Sequence, residues 1–251
     1  MLLKSYGGNI ISEHSAWKAG KTVLGDGPYD YFIYEATNNE KIHIEHLCSY
    51  SIYILDKSET CIVSIEALHL TMSQGDRIQV ENSEIAININ GGRATLLIAG
   101  TSAPHPTLSE ISLTKHDDIY KVAKPWGHEL WINNQHPNYA FKQIFIKAGY
   151  KTSLQYHRHK QETNVLFIGT AKLHYQSNIA VKIDSVSPED ISTLTLNPLS
   201  IIDVVPFTLH RLEAITDILL YEVSTPHLDD VIRISDDSGR PNGRINQEHL
   251  K

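Results

Sequence analysis

The sequence is poor in cysteine, methionine and phenylalanine, with two, two and five among its 251 residues. Two cysteines, Cys48 and Cys61, cannot supply the cross-links that hold small secreted domains together, so a reducing cytoplasm is the compartment they predict. Basic charge is also scarce: 22 Lys and Arg stand against 29 Asp and Glu, a net charge of −7 with histidines neutral. With a pI near 6.0 and no Lys/Arg cluster, the chain lacks the basic face that nucleic-acid binding needs. No apolar run approaches the roughly 18–20 residues that cross a bilayer, which argues against a membrane span. The opening Met1-Leu-Leu-Lys-Ser-Tyr-Gly-Gly has no apolar core of a signal peptide. A composition of 41% hydrophobic and 20% charged residues excludes wholesale disorder. Histidine, by contrast, is plentiful, at 14 residues, and imidazole is the commonest metal ligand.

Most of the chain reads as short strands. Lys41–Leu47, Ser51–Leu55, Thr60–Ile65, Asp76–Val80, Glu84–Asn90 and Ala94–Ile98 are apolar or alternating runs, separated by turn formers such as Ser73-Gln-Gly-Asp and Asn90-Gly-Gly. A second set of similar rhythm follows at Tyr139–Ile146, Asn164–Ile168, Ala171–Tyr175, Ile201–Val205 and Ile218–Val223. Helical periodicity is scarce, and Thr107–Val122 is the best stretch for it. The pattern predicts an all-β protein of two barrels: residues 1–105, a linker over 106–122, and residues 123–251. The polar tail from Asp229 is expected to be a surface extension.

The densest chemical signal runs from Gly149 to Gly169. On a strand, Gln155, His157 and His159 share one face, and Glu162 follows after a tight turn at Lys160-Gln161. An amide oxygen, imidazoles and a carboxylate converging on one point suit a divalent ion such as zinc, manganese, iron or nickel. His210, after the turn marked by Pro206, can close such a site from a distant strand.

The spacing Gly-(x)5-ligand-x-His-(x)4-Glu-(x)6-Gly followed by Pro-x-x-x-His resembles the two motifs of the cupin superfamily, small jelly-roll barrels that hold a metal inside. Ala123-Lys-Pro-Trp-Gly-His-Glu-Leu-Trp131, Ser153-Leu-Gln-Tyr-His-Arg-His, His210-Arg-Leu-Glu213 and Pro226-His-Leu-Asp-Asp-Val-Ile-Arg233 together resemble cupin-type mannose-6-phosphate isomerases and the module fused to mannose-1-phosphate guanylyltransferases. The likeness covers residues 120–240 and implies a bicupin in which the second barrel carries the metal. It implies Gln155, His157, Glu162 and His210 as ligands, with His159 as an alternate, and zinc ahead of manganese, iron or nickel. The first barrel has no histidine where a ligand would stand; His43 and His46, three residues apart, fall on opposite faces of a strand. The sequence departs from the family at Thr208, read as the usual glycine of the second motif, and at Thr163-Asn164, where an aromatic is usual.

The resemblance implies a metal-dependent aldose–ketose isomerase acting on a small sugar phosphate. Such a reaction moves a proton between the carbons beside a carbonyl, and needs a base and a fixed positive charge for the phosphate. Glu213 and His159 are the candidates for the base, and Arg211 and Lys124 for the phosphate, with Lys142 and Lys147 behind them. Two rival readings are a metal-dependent cupin oxygenase and a non-catalytic sugar-binding cupin of polysaccharide metabolism. Exposed barrel edges would allow a homodimer.

Overall fold

The computed structural model describes residues 2–5, 29–44, 47–65, 68–176 and 191–249. His46, one of the histidines considered above, lies outside them. The described chain divides into two compact units. One takes Lys121–Trp131 and the residues from Ala140 onward, together with the strand Leu2–Ser5; the other takes the residues up to Tyr120 and Ile132–Tyr139.

Each unit is a pair of sheets closed on an apolar interior. In the N-terminal unit a five-stranded sheet runs in the order Glu110–Thr114, Arg77–Glu81, Ser49–Lys57, Ala94–Thr101, Asp30–Ala36. Its partner sheet runs Glu40–His43, Ala86–Asn90, Ile62–Ile65, Leu70–Met72. The period of two puts Tyr50, Ile52 and Ile54 on the inner face of their strand, and Ile78, Val80, Leu96 and Ile98 on theirs. These meet Val63, Ile65, Met72, Ile87 and Ile89 of the facing sheet in one cluster. Mostly aliphatic side chains make up this cluster. Both cysteines are free thiols.

The C-terminal unit repeats the plan. A seven-stranded sheet has the order Leu2–Ser5, Ser200–Val204, Glu162–Ile168, Ile218–Ser224, Ala140–Ile146, Gly127–Asn133, Tyr120–Lys124. A five-stranded sheet has the order Ser192–Leu196, Ala171–Gln176, Leu209–Ala214, Leu154–Tyr156, Ile232–Ser235. Strands far apart in sequence are neighbours, as a jelly roll requires, and Glu162–Ile168 lies between Ser200–Val204 and Ile218–Ser224. Ile144, Leu166, Ile202 and Leu220 of the larger sheet pack on Leu173, Leu196 and Leu212 of the smaller. The protein is therefore all-β, a pair of jelly-roll barrels. No helix among the described residues is long and apolar enough to cross a membrane.

One expectation is corrected and a second refined. Thr107–Val122 is not helical: Glu110–Thr114 pairs with Arg77–Glu81 as an edge strand, and only His116–Asp118 form a turn of 3-10 helix. The β-branched and alternating residues of Ile111-Ser-Leu-Thr114 outweigh the weak helical stripe. The described stretch after Asp229 is exposed or half-buried throughout, as expected of a surface segment, but it is not detached from the barrel. Ile232–Ser235 adds to the strand Leu154–Tyr156, placing Arg233 in register with Gln155.

Candidate metal centre

The inner face of the C-terminal barrel changes character along its strands. Ile146, Ile144 and Lys142 alternate on one strand; Ile218, Leu220 and Glu222 do so on the next, where Glu222 lies opposite Lys142 and Asn164. One end of the barrel is thus aliphatic, and the other carries charge around a cavity of about 110 Å³. Gln155, His157, Glu162 and His210 all line that cavity.

His157, Glu162 and His210 come together within it: one ligand atom from each lies within 4.8 Å of the others, and all three side chains are buried. Among the described residues no other group of three His, Cys, Asp or Glu side chains does this. Glu162 opens its strand, with Oε1 3.3 Å from His210 Nε2 and Oε2 3.6 Å from His157 Nε2. The Nδ1 of His210 donates to the carbonyl of Thr208 at 3.0 Å, and that of His157 donates to the carbonyl of Asp230. Anchoring Nδ1–H on a carbonyl is how metal-ligating imidazoles are oriented, because it turns the Nε2 lone pair toward the ion.

Burial, and then the charge of Lys160, push His157 down to about 3, so the ring is neutral at physiological pH. Its Nε2 is buried with no hydrogen-bond partner, an arrangement a protein rarely leaves standing unless something else satisfies the atom. Burial would raise the Glu162 carboxyl, but Lys160 and His210 outweigh it and hold the group well below the usual carboxylate range. Two imidazole nitrogens and a carboxylate, converging within 4.8 Å of one another, fit a divalent ion.

The fourth expected ligand, Gln155, is in register with His210, and its amide oxygen accepts from Ser153 Oγ at 2.6 Å. Lys124 also lines the cavity, bonded to Glu248 at 2.8 Å and 3.5 Å from Glu129. The other candidates are not brought in. The strand carrying Gln155 ends at Tyr156, so the parity that would align His159 with His157 is lost. His159 is exposed, its ring 5.9 Å from that of His227. On Leu209–Ala214, His210 and Leu212 face inward, and alternation turns Arg211 and Glu213 out. Arg211 pairs with Asp237 at 3.1 Å, and Glu213 with His174 at 2.8 Å. Glu213 and His159 are therefore not placed to act as the base, nor Arg211 to hold a phosphate.

Several side chains in the site were not anticipated. Lys160 is buried between Glu162 and Glu222, and those two carboxylates overcome burial and keep it charged. Burial would raise Glu129, but Lys142 and Lys124 bring it down to about 2. Asp230 accepts from the amides of His159 and Lys160 at 2.6 and 3.0 Å, so its carboxylate shapes the turn that presents His157. Glu222 had a legible signal: like Lys142, named above as a candidate for the phosphate, it is a charged residue at the inward parity of an otherwise aliphatic strand. The spacing from Pro206 puts the glycine position of the second motif at Thr208, but the residue in left-handed conformation is Phe207, with φ of 59°. Its amide donates to the carbonyl of His157 at 2.8 Å, tying the two ligand-bearing segments together.

A family model described as mannose-6-phosphate isomerase C-terminal matches residues 110–236, just over half of the chain. The chain belongs to that family. Solved structures share the bicupin fold at low identity. The oxalate decarboxylase of Lactobacillus farciminis aligns with TM-score 0.59 and 10% identity over 83% of this chain and 80% of that one. The salicylate 1,2-dioxygenase of Pseudaminobacter salicylatoxidans gives TM-score 0.54 and 11% identity over 78% and 70%. The vicilin of Solanum melongena gives TM-score 0.55 and 9% identity over 79% and 75%. No curated protein matches the sequence. Proteins this different in function share one architecture, so the fold alone does not specify a reaction.

Proposed function

We propose that the protein is a metal-dependent sugar-phosphate isomerase whose active site is the cavity of the C-terminal barrel, with zinc as the ion and manganese, iron or nickel as alternatives. The observation that carries this reading is the buried His157–Glu162–His210 group in the cavity wall of a chain from the mannose-6-phosphate isomerase C-terminal family. Gln155 completes the ligand set. When bound, the ion supplies Lewis-acid stabilisation of charge that develops on the sugar oxygens.

This chain's own residues do the rest. Lys124, Arg233, Arg240 and Arg244 line the cavity and supply the fixed positive charge that a phosphate ester requires. Trp126, Ile144 and Leu212 form its apolar wall and keep water from the reacting carbons. The carboxylates facing the cavity, Glu129 and Glu222, replace Glu213 as the groups to examine for proton movement. The test is proton NMR of zinc-loaded protein with a panel of aldose and ketose phosphates under anaerobic conditions. Interconversion without oxygen supports the isomerase. Turnover only when oxygen is admitted, or ligand-induced thermal stabilisation without turnover, would replace it with an oxygenase or a binding module.

A further inference from the structure

Lys160 is the one ammonium in direct contact with a candidate ligand among the described residues, and it is 4% exposed. Its Nζ donates to Glu162 Oε2 and, at 2.7 Å, to Glu222 Oε1. A surface lysine near a metal would be solvated and of little consequence; a dry one bridging two carboxylates is not. We infer that Lys160 is a positioning residue that divides its ammonium between Glu162 and Glu222, and by that division sets how tightly the His157–Glu162–His210 group holds a divalent ion. The inference rests on the metal reading above.

Two effects of Lys160 oppose each other, and the surrounding bonds decide between them. As a donor it orients Glu162, which would favour binding. As a cation it draws on the same oxygen that an ion would use and repels that ion across a water-poor space. The orienting role is duplicated: Asn164 Nδ2 donates to Glu162 Oε1 at 3.1 Å, and the Lys160 backbone amide stays on Asp230. Removing the ammonium therefore leaves Glu162 in place and takes away the repulsion. Glu222 acts in the other direction. It shares Lys160 with Glu162, while its second cation, Lys142, lies 3.8 Å away and is engaged over the Trp131 ring at 4.5 Å. Neutralising Glu222 leaves Lys160 with Glu162 alone.

The test is zinc affinity, measured by competition with a chromophoric chelator at fixed pH and salt, with circular dichroism of each variant as the check on folding. Lys160→Met is expected to bind zinc more tightly than the natural protein by at least about ten-fold, the worth of one nearby charge. Lys160→Gln, which keeps a polar side chain, should shift the same way, and Lys160→Arg should stay near the natural value. Glu222→Gln should weaken zinc binding in the natural background and do little in the Lys160→Met background, because its effect runs through Lys160. Unchanged or weaker binding by Lys160→Met, or a Glu222→Gln effect that persists without the lysine, overturns the inference while leaving the metal site standing. No zinc, manganese or nickel on any form overturns both.

Discussion

Gly149 and Gly169, which bound the first motif, both adopt left-handed conformations, with φ of 79° and 88°, yet they should respond very differently to a methyl group. A Cβ built on Gly149 meets nothing within 4 Å. One built on Gly169 falls 2.2 Å from the carbonyl oxygen of Asp217, 2.8 Å from Thr216 Oγ1 and 2.9 Å from Ile218 Cγ2. Gly149→Ala therefore incurs only the left-handed penalty of about 1–2 kcal/mol, partly offset by the roughly 0.4–1 kcal/mol that alanine removes from unfolded-chain entropy. Gly169→Ala incurs the same and must also displace the backbone that opens the strand Ile218–Ser224. Overpacking of that kind adds about 1–3 kcal/mol, for a total of about 2–4. Urea denaturation read from the fluorescence of Trp126 and Trp131, both in this unit, measures the difference. With a slope of about 1–3 kcal/mol/M, the midpoint should fall by about half a molar for Gly149→Ala and by 1 M or more for Gly169→Ala. Equal losses at the two sites would refute the steric argument.

Other outcomes follow from individual contacts. Glu213→Gln and Arg211→Gln should leave turnover in the proposed isomerase assay within about two-fold of the natural protein, because neither side chain lines the cavity; a large loss would return Glu213 to the reaction. Asp230→Ala, which frees the turn presenting His157, should weaken zinc binding by about 10–100-fold, the usual effect of removing a group that supports a ligand, and an unchanged affinity in a chelator competition would show that the turn holds itself. In the N-terminal unit, burial and then His105 push His136 down to about 4. Its Nε2 is 3.5 Å from Glu81 Oε2, and its ring is 4.8 Å from that of Tyr139. Between the ordinary histidine value and about 4 the unfolded chain takes up this proton and the folded one does not, so stability should fall as pH drops through that window. The slope is at most about 1.4 kcal/mol per pH unit. Denaturant titrations from pH 7 to 4 should show His136→Phe losing that part of the slope, and an unaltered slope would contradict the assignment.

The alternation of aliphatic and polar residues made the two barrels legible, since a strand with one buried face carries its fold in a period of two. It also separated His210 from its neighbours Arg211 and Glu213, a distinction lost when those residues were grouped by sequence proximity to a ligand. The convergence of Glu162 and His210 was legible because both sit on regular strands. His159 was misread because parity holds only while a strand lasts, and this one stops at Tyr156. The roles of Asp230 and Lys160 were not legible at all. Asp230 acts through a backbone carbonyl and two turn amides, and Lys160 through two carboxylates distant or adjacent in sequence, so neither belongs to a local pattern. Phe207 was missed because counting from Pro206 placed the turn one residue late, whereas counting back from His210 reaches it.

The central claim is that the C-terminal barrel grips one divalent ion through His157, Glu162 and His210. Elemental analysis of protein purified without added metal, followed by calorimetric titration of chelator-treated protein with zinc, measures it directly. The account predicts about one ion per chain and, at a hundred-fold excess over Kd, about 2.7 kcal/mol of added stability, both abolished by His157→Ala, His210→Ala or Glu162→Gln. Stoichiometric binding that survives all three substitutions together, or a folded natural protein that takes up no ion, would contradict it.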